Sequence, residues 1–335
     1  MITIGQIAEM AGVSKSTVSR VLNCSGYVCE DTRKKIEAIM EEYHYSPSAS
    51  AQNLSRRETN TIGVIVPELD NTFFTEVLAG VAEVIDEKNF TMIVCNTSNN
   101  GEKEKAALAM MEQQRVRGVI FTPAIGYSDR AAEKSIRMQL RNLNVPVVLV
   151  DREIQNVQWD GVFYENFQSG YLATEHLICL GNKEIGIITG DMALKHARER
   201  YKGYVQAMED YGLPVNESYI YEGDYTVQKA YEITHCIFET DIQKRPEALV
   251  LSNNQTTLGY VKGISEFGKE LDQEIKVVGI DHIPVLDTIG YRYNCVTRDT
   301  RAMGRAAIEL LLERLENSGR QKEIRIVPCI QRFYD

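Results

Sequence analysis

Between Lys15 and Arg20 the sequence reads Lys-Ser-Thr-Val-Ser-Arg, two cations and three hydroxyls within six positions. Side chains of these types are suited to short polar contacts with phosphates and base edges, and Arg20 can reach a phosphate or a guanine. Bond-breaking chemistry has no comparable cluster. The five histidines, His44, His176, His196, His235 and His282, stand at no metal-ligand spacing. Glycine-rich phosphate loops and a G-x-S-x-G elbow are missing. Asp281-His282 is an adjacent acid and base, but neighbours on a strand point to opposite faces. No catalytic residue, cofactor or metal site is expected.

The elements that must position residues 15–20 are short helices. Thr3 can cap a first helix, with Ile4, Ile7 and Ala8 at helical spacing. In Ala11-Gly12-Val13-Ser14, Gly12 supplies the positive φ of a sharp turn and Ser14 caps the next helix. Val13, Val18 and Val21 then pack inward, leaving Lys15, Ser16, Thr17, Ser19 and Arg20 exposed. This is the form of a helix-turn-helix, although a generic helical hairpin with a solvated polar face has the same pattern. A third helix is expected over 32–43, begun by Asp31. Pro47 stops it, and 48–54 can form only a short helix that needs a partner chain or DNA.

The totals set limits on the rest. A chain of 335 residues, 44% hydrophobic and 25% charged, makes two or three globular units without metal or disulfide help. Its seven cysteines, at 24, 29, 95, 179, 236, 295 and 329, are odd in number and show no C-x-x-C spacing, as expected of reduced thiols. No stretch has the form of a signal peptide, and the apolar run 145–150 is too short to span a bilayer. A cytoplasmic protein without a membrane partner is expected. Net charge is −10, yet residues 1–60 hold seven basic and seven acidic side chains, so the acidity belongs to the remainder. Any case for nucleic acid rests on pattern rather than on bulk charge.

From residue 61 the pattern changes to alternating strands and helices. Strands are expected at 61–66, 92–96, 119–122 and 146–151, with helices at 73–88, 103–115 and 128–143. A second series has strands at 185–189, 248–252, 276–280 and 324–327, with helices at 168–180, 200–211, 227–238 and 256–267. Val/Ile runs alternating with helices indicate buried parallel sheets, and two series indicate two doubly wound lobes. Ligands in such folds bind beyond the carboxyl ends of the strands, so a cleft between the lobes is the natural site.

Taken together, Thr3-Ile4, Ile7-Ala8, Ala11 to Ser14, Thr17 to Asn23, Tyr45-Ser46-Pro47, Ala49, Ala51 and Leu54 resemble the LacI family of bacterial regulators. The resemblance continues through Gly63 to Pro67, Asn71 to Phe74, Gly170, Ala173, His176-Leu177, Gly181, Arg200, Gly203-Tyr204, Asn253, Gly259 and Val278 to Asp281. It implies a small all-α helix-turn-helix domain (1–46), a hinge helix and linker (47–60) and a periplasmic-binding-protein-like α/β effector domain (61–335). The lobes would comprise about 61–160 with 291–320, and 161–290 with 321–335. DNA contacts would come from Thr3, Ser14, Lys15, Ser16, Thr17, Ser19, Arg20, Asn23 and Ala51, and Leu54 would wedge into the minor groove. Asn71, Phe73, Phe74, Arg198, Arg200, Asn253 and Asp281 would face the effector, a sugar or sugar derivative.

The implied protein is a homodimer on a pseudo-palindromic operator, most simply a repressor. A dimer rather than a tetramer is expected, because the sequence to Asp335 shows no heptad-like tail. The sequence departs from the family pattern at Gln6 (usually acidic), Gln52 (usually Arg), Glu165, Asn182, Asn254 and His282. The cleft changes leave open a sugar or an anionic ligand such as a sugar acid or sugar phosphate. Competing readings are a sugar-binding module without DNA function, and an enzyme on the same fold.

Overall fold

A computed structural model describes residues 2–22, 25–45, 59–124, 126, 130–154 and 159–334. The chain divides into two units, Met1–Thr59 and Asn60–Asp335. In the first, helices α1 (Ile4–Ala11), α2 (Lys15–Leu22) and α3 (Glu30–Glu42) enclose a small core of Ile7, Ala8, Ala11, Val18, Val21 and Ile36. Burying each large aliphatic side chain contributes about 1.5–3 kcal/mol, which a unit this small needs. Helix α3 starts earlier than expected. Glu30 and Asp31 both lie in its first turn, where acidic side chains suit the helix dipole.

The second unit holds two six-stranded sheets. One has the order β11-β5-β4-β3-β1-β2, formed by β1 (Thr61–Val66), β2 (Thr91–Asn96), β3 (Gly118–Phe121), β4 (Val147–Val150), β5 (Asp160–Tyr164) and β11 (Ile324–Val327). The other has the order β12-β10-β9-β8-β6-β7, formed by β6 (Ile185–Ile188), β7 (Ile220–Tyr221), β8 (Ala248–Leu251), β9 (Lys276–Ile280), β10 (Asn294–Thr297) and β12 (Ile330–Arg332). All pairings are parallel except β10 with β12. Residues of β1, β3, β4, β6 and β8 are almost wholly buried, as sheets covered on both faces require.

Helices α4 (Thr72–Glu87), α5 (Gly101–Gln113), α6 (Arg130–Asn142) and α12 (Thr300–Glu316) belong to the first lobe. Helices α7 (Asn166–Cys179), α8 (Lys195–Asp210), α9 (Val227–Glu239), α10 (Asn254–Glu266) and α11 (Pro284–Thr288) belong to the second. In each lobe helices cross at glycines. A Cβ on Gly304 of α12 would lie 2.1 Å from the Val77 carbonyl oxygen of α4, and one on Gly203 of α8 would lie 2.1 Å from that of Phe167 in α7. Only glycine permits backbones this close.

Strand pairing corrects the expected lobe limits. Ile324–Val327 pairs with Asp160–Tyr164 in the first sheet, so β5 and β11 leave the second lobe. Asn294–Thr297 pairs with β9, so it leaves the first lobe. The chain therefore crosses three times, after β5, β10 and β11, each crossing only a few residues long. Helix α8 starts five residues before the expected 200. The expected hinge segment 48–54 lies outside the described residues.

Candidate functional site

The reading head is built from caps. The Thr3 N–H donates to Gln6 Oε1 at 2.9 Å, and the Gln6 N–H donates to Thr3 Oγ1 at 3.4 Å. Gln6, a departure from the family pattern, thus completes a neutral capping box. Gly12, at φ +70°, ends α1, and the Val13 N–H donates to the Ala8 carbonyl at 2.9 Å. That turn delivers Ser14, whose Oγ accepts from the Thr17 N–H at 3.2 Å and lies 2.7 Å from the Ser16 hydroxyl. Lys15, Ser16 and Arg20 are exposed, with Thr17 and Ser19 half-buried beside them. Thr3 and Ser14 are also exposed, while Asn23, Ala51 and Leu54 lie outside the described residues. The sequence reading omits Tyr27, 89% exposed in the loop where Gly26 packs near the Arg20 side chain. An aromatic left in water beside a basic helix was the available signal.

The effector cleft forms where strand ends of both lobes meet. Asn71 caps α4, its Oδ1 accepting from the Phe73 N–H at 3.1 Å, while its amide donates to Glu68 at 2.9 Å. Across the cleft Asn253 caps α10, its Oδ1 accepting from the Thr256 N–H at 2.8 Å and from the Thr256 hydroxyl at 2.7 Å. Asn254 reaches over to the first lobe and donates to Asn71 Oδ1 at 2.8 Å. Asp151 directly follows β4 and Asp281 directly follows β9, at φ +63° and +74°. Short polar residues tolerate this left-handed turn, which aims both carboxylates inward.

Arg298, on the second crossing, joins the two carboxylates. Its Nη1 donates to Asp151 Oδ1 at 3.0 Å, and its Nε lies 3.2 Å from Asp281 Oδ1. The guanidinium is stacked between two rings, its carbon 4.1 Å from the centre of Phe73 and 4.3 Å from that of Tyr164. Arg200 is buried and donates from Nε to Asn166 Oδ1 at 2.9 Å and from Nη1 to the Ser252 carbonyl. Arg152 donates to Asn99 and to the carbonyls of Pro123 and Ala124. His196 stacks on Tyr225 at 5.3 Å and 6°.

The charges interact strongly. Burial raises the Asp151 carboxyl, but the guanidinium groups of Arg298, Arg152 and Arg200 outweigh it and hold the group below its ordinary range. Burial pushes the His196 imidazole well below its usual value against the pull of Asp151, so the ring is neutral at pH 7. Burial also raises the Tyr225 hydroxyl, which stays protonated. That hydroxyl, Arg152 Nε, Arg298 Nε and Asp281 Oδ1 are buried without a hydrogen-bond partner among the described residues. Orphaned buried polar atoms facing a cleft mark a ligand site. The space between these groups is about 30 Å³, room for about one water, and the lobes touch beside it through Asn254 and Asn71. Beside it, a cavity of about 310 Å³ shares Asp151 and His196 and is bounded by Tyr164, Asn166, Lys195 and Glu199.

Of the expected effector residues, Asn71, Phe73, Phe74, Arg200, Asn253 and Asp281 line the cleft. Arg198 does not. It donates to the carbonyls of Met192 and Ala193 at 2.7 and 2.8 Å, because residues two apart on a helix point in nearly opposite directions. Asp151, Arg152, His196, Tyr225 and Arg298 line the cleft without having been expected. Among the described residues no cluster of metal-ligand side chains occurs, and no helix is long and apolar enough to cross a membrane.

Residues 3–48 match the family described as bacterial regulatory proteins, lacI family, and residues 59–334 match that described as periplasmic binding proteins and sugar binding domain of LacI family. The HTH-type transcriptional repressor PurR of Pasteurella multocida is 32% identical, over 97% of this chain and 95% of its own. PurR of Aliivibrio fischeri is likewise 32% identical with the same coverage. The lac repressor dimer bound to operator and the anti-inducer ONPF superimposes with a TM-score of 0.83 at 25% identity, covering 98% of this chain and 97% of that one. The chain belongs to the LacI family of bacterial regulatory proteins, and it is a DNA-binding transcriptional regulator rather than an enzyme.

Proposed function

We propose that this protein is a repressor that binds a pseudo-palindromic operator as a homodimer and responds to a small polyol or polyol derivative held between its lobes. Carrying this reading is the joining, in one chain, of an exposed Lys15/Ser16/Arg20 face to a cleft whose buried Tyr225 hydroxyl and Arg152 Nε lack partners. The homologous repressors and the operator-bound lac repressor dimer support it. Thr3, Ser14, Lys15, Ser16, Thr17, Ser19 and Arg20 would hold the major groove and its phosphates, and Asn23, Ala51 and Leu54 would extend the contact. The place of action is that of the DNA, the cytoplasm.

Control is by linkage. An effector that binds two arrangements of the dimer unequally changes operator affinity, the operator changes effector affinity by the same factor, and a tenfold effect requires about 1.4 kcal/mol of coupling. The test is to select genomic fragments with the full chain, footprint the bound site and repeat the footprint with candidate effectors. A two-fold symmetric footprint that one metabolite strengthens or abolishes is expected. Failure to select any duplex would leave a ligand-binding module without a regulatory role.

A further inference from the structure

Arg298 stands on the crossing between β10 of the second lobe and α12 of the first, and its side chain turns into the cleft. There it meets one carboxylate from each lobe. Nη1 donates at 3.0 Å to Asp151 Oδ1, which follows β4 of the first lobe. Nε lies 3.2 Å from Asp281 Oδ1, which follows β9 of the second lobe, in ion-pair contact but too poorly aligned for a hydrogen bond. Nη2 donates to Asp281 Oδ2 at 3.5 Å. Phe73, in the first turn of α4, and Tyr164, at the end of β5, enclose the guanidinium. The Tyr164 hydroxyl also donates at 3.2 Å to the carbonyl of Thr297, the residue before Arg298, so one tyrosine holds this arginine by backbone and by side chain. Other polar links between the lobes are weaker. Lys195 Nζ lies 2.7 Å from Glu153, but the two side chains are 43% and 38% exposed, where such a pair contributes little. Asn254 donates to Asn71 and to Thr72 without any charge. The Arg298 side chain is 2% exposed, so its charge acts with little screening by water.

We infer that Arg298 is a built-in occupant of the cleft, a positioning residue that draws the two lobes together before any effector arrives. A ligand between lobes closes them by binding both at once, and Arg298 does the same from within the chain. It sits at a crossing, where the lobes turn about one another, so it keeps its place while each carboxylate moves with its own lobe. Removing it would leave two buried carboxylates, one on each lobe, without their shared counter-ion, which favours separation and hydration of the cleft. The chain therefore sets its own resting arrangement, and an effector acts by its unequal affinity for states that Arg298 has already biased. This regulatory meaning rests on the effector reading above, whereas the clamp itself does not.

Hydrogen exchange of the full chain, with no ligand added, tests the clamp, because parting of the lobes exposes amides where they touch. The segments flanking Gly126 and Ala193 meet across the cleft, and strands β3 and β8 inside the lobes serve as reference. Arg298→Gln should speed exchange at the meeting segments at least about tenfold and leave the reference strands at wild-type rates. Arg298→Lys should fall between the two, and millimolar methylguanidinium should slow exchange again in Arg298→Ala. Should Arg298→Gln fail to fold, Asp151→Asn, which keeps the shape and loses the charge, carries the same expectation. Equal exchange beside Gly126 and Ala193 in wild type and variant would overturn the inference. So would acceleration spread evenly through the reference strands, the mark of a merely structural cation. Titration of the selected operator then separates the two readings. Faster exchange with a change of about tenfold in operator affinity supports both. Faster exchange with unchanged operator affinity keeps the clamp and overturns the coupling of cleft to operator.

Discussion

Replacing Gly304 with alanine adds one methyl group at the crossing of α12 and α4. The new Cβ would stand 2.1 Å from the Val77 carbonyl oxygen and 3.0 Å from the Val81 nitrogen, where ordinary contact begins near 3.4 Å. Neither atom belongs to a flexible side chain, so the helices must part by roughly 1 Å in a core packed at crystal density. Alanine's better helix propensity offers about 1 kcal/mol in compensation, whereas overpacking a rigid contact costs about 3 kcal/mol. The net expectation is a loss of about 2 kcal/mol, opposite in sign to propensity alone. Helix α4 starts beside Asn71 and Phe73, and α12 starts just after Arg298, so ligand affinity should fall as well. Urea unfolding followed by circular dichroism measures the first effect. Gly5→Ala is the contrast, since its Cβ meets only the flexible end of Lys15 at 3.0 Å, and that change should be neutral or stabilising. A Gly304→Ala midpoint at or above that of wild type would refute the reasoning.

His196 gives a pH signature. Because its folded pKa is depressed, the unfolded chain binds the proton first below about pH 6.5, and stability falls as pH drops through that region. His196→Asn should remove about 1 kcal/mol of the loss between pH 6.5 and 5.5, while His176, also lowered by burial, contributes the same sign in both proteins. Denaturant titrations at the two pH values check this, and an unchanged difference between them contradicts it. Arg20→Ala should weaken operator binding at least about tenfold and, for one phosphate contact per subunit, reduce the salt slope of the dimer by about 1.8. Binding isotherms at several salt concentrations read both quantities, and wild-type affinity at every salt would remove Arg20 from the interface. Leu54→Ala should reduce both affinity and operator bending in gel-shift assays, and an unchanged bend would sink the wedge role.

Much of the architecture was legible because period and composition agree. Thr61–Val66 and Lys276–Ile280 are Val/Ile runs between turn signals, and both are strands with the limits read from sequence. The missed strands are short and partly polar. Asn294–Thr297 reads Asn-Cys-Val-Thr, and its membership of the second sheet depends on pairing with β9, which no local pattern encodes. Helix α12 lies in the first lobe, as the resemblance implied for about 291–320, although its core contacts are with residues well over a hundred positions earlier. In the cleft, Asp281 and Asn253 were legible through resemblance, whereas Arg298 stands in a Thr-Arg-Asp crossing that looks like an ordinary polar loop. The choice between Arg198 and Arg200 was decidable in principle, because helical spacing lets only one of them face the strands.

The tight closure of the lobes has a kinetic consequence. With about 30 Å³ among Asp151, Arg200, Tyr225 and Asp281, and with Gly126 packed so near Ala193 that a Cβ would lie 2.5 Å from its carbonyl oxygen, no metabolite fits among these four residues while this arrangement holds, although the adjoining cavity of about 310 Å³ leaves Asp151 and His196 within reach. Capture among the four must wait for the lobes to separate, so the observed binding rate should level off at high ligand concentration at the opening rate, on the microsecond-to-millisecond scale of hinge motions. Escape passes through the same gate. Residence time is then a property of the three crossing segments as much as of the contacts, and a sequence change there can retune how long a signal persists without touching the ligand.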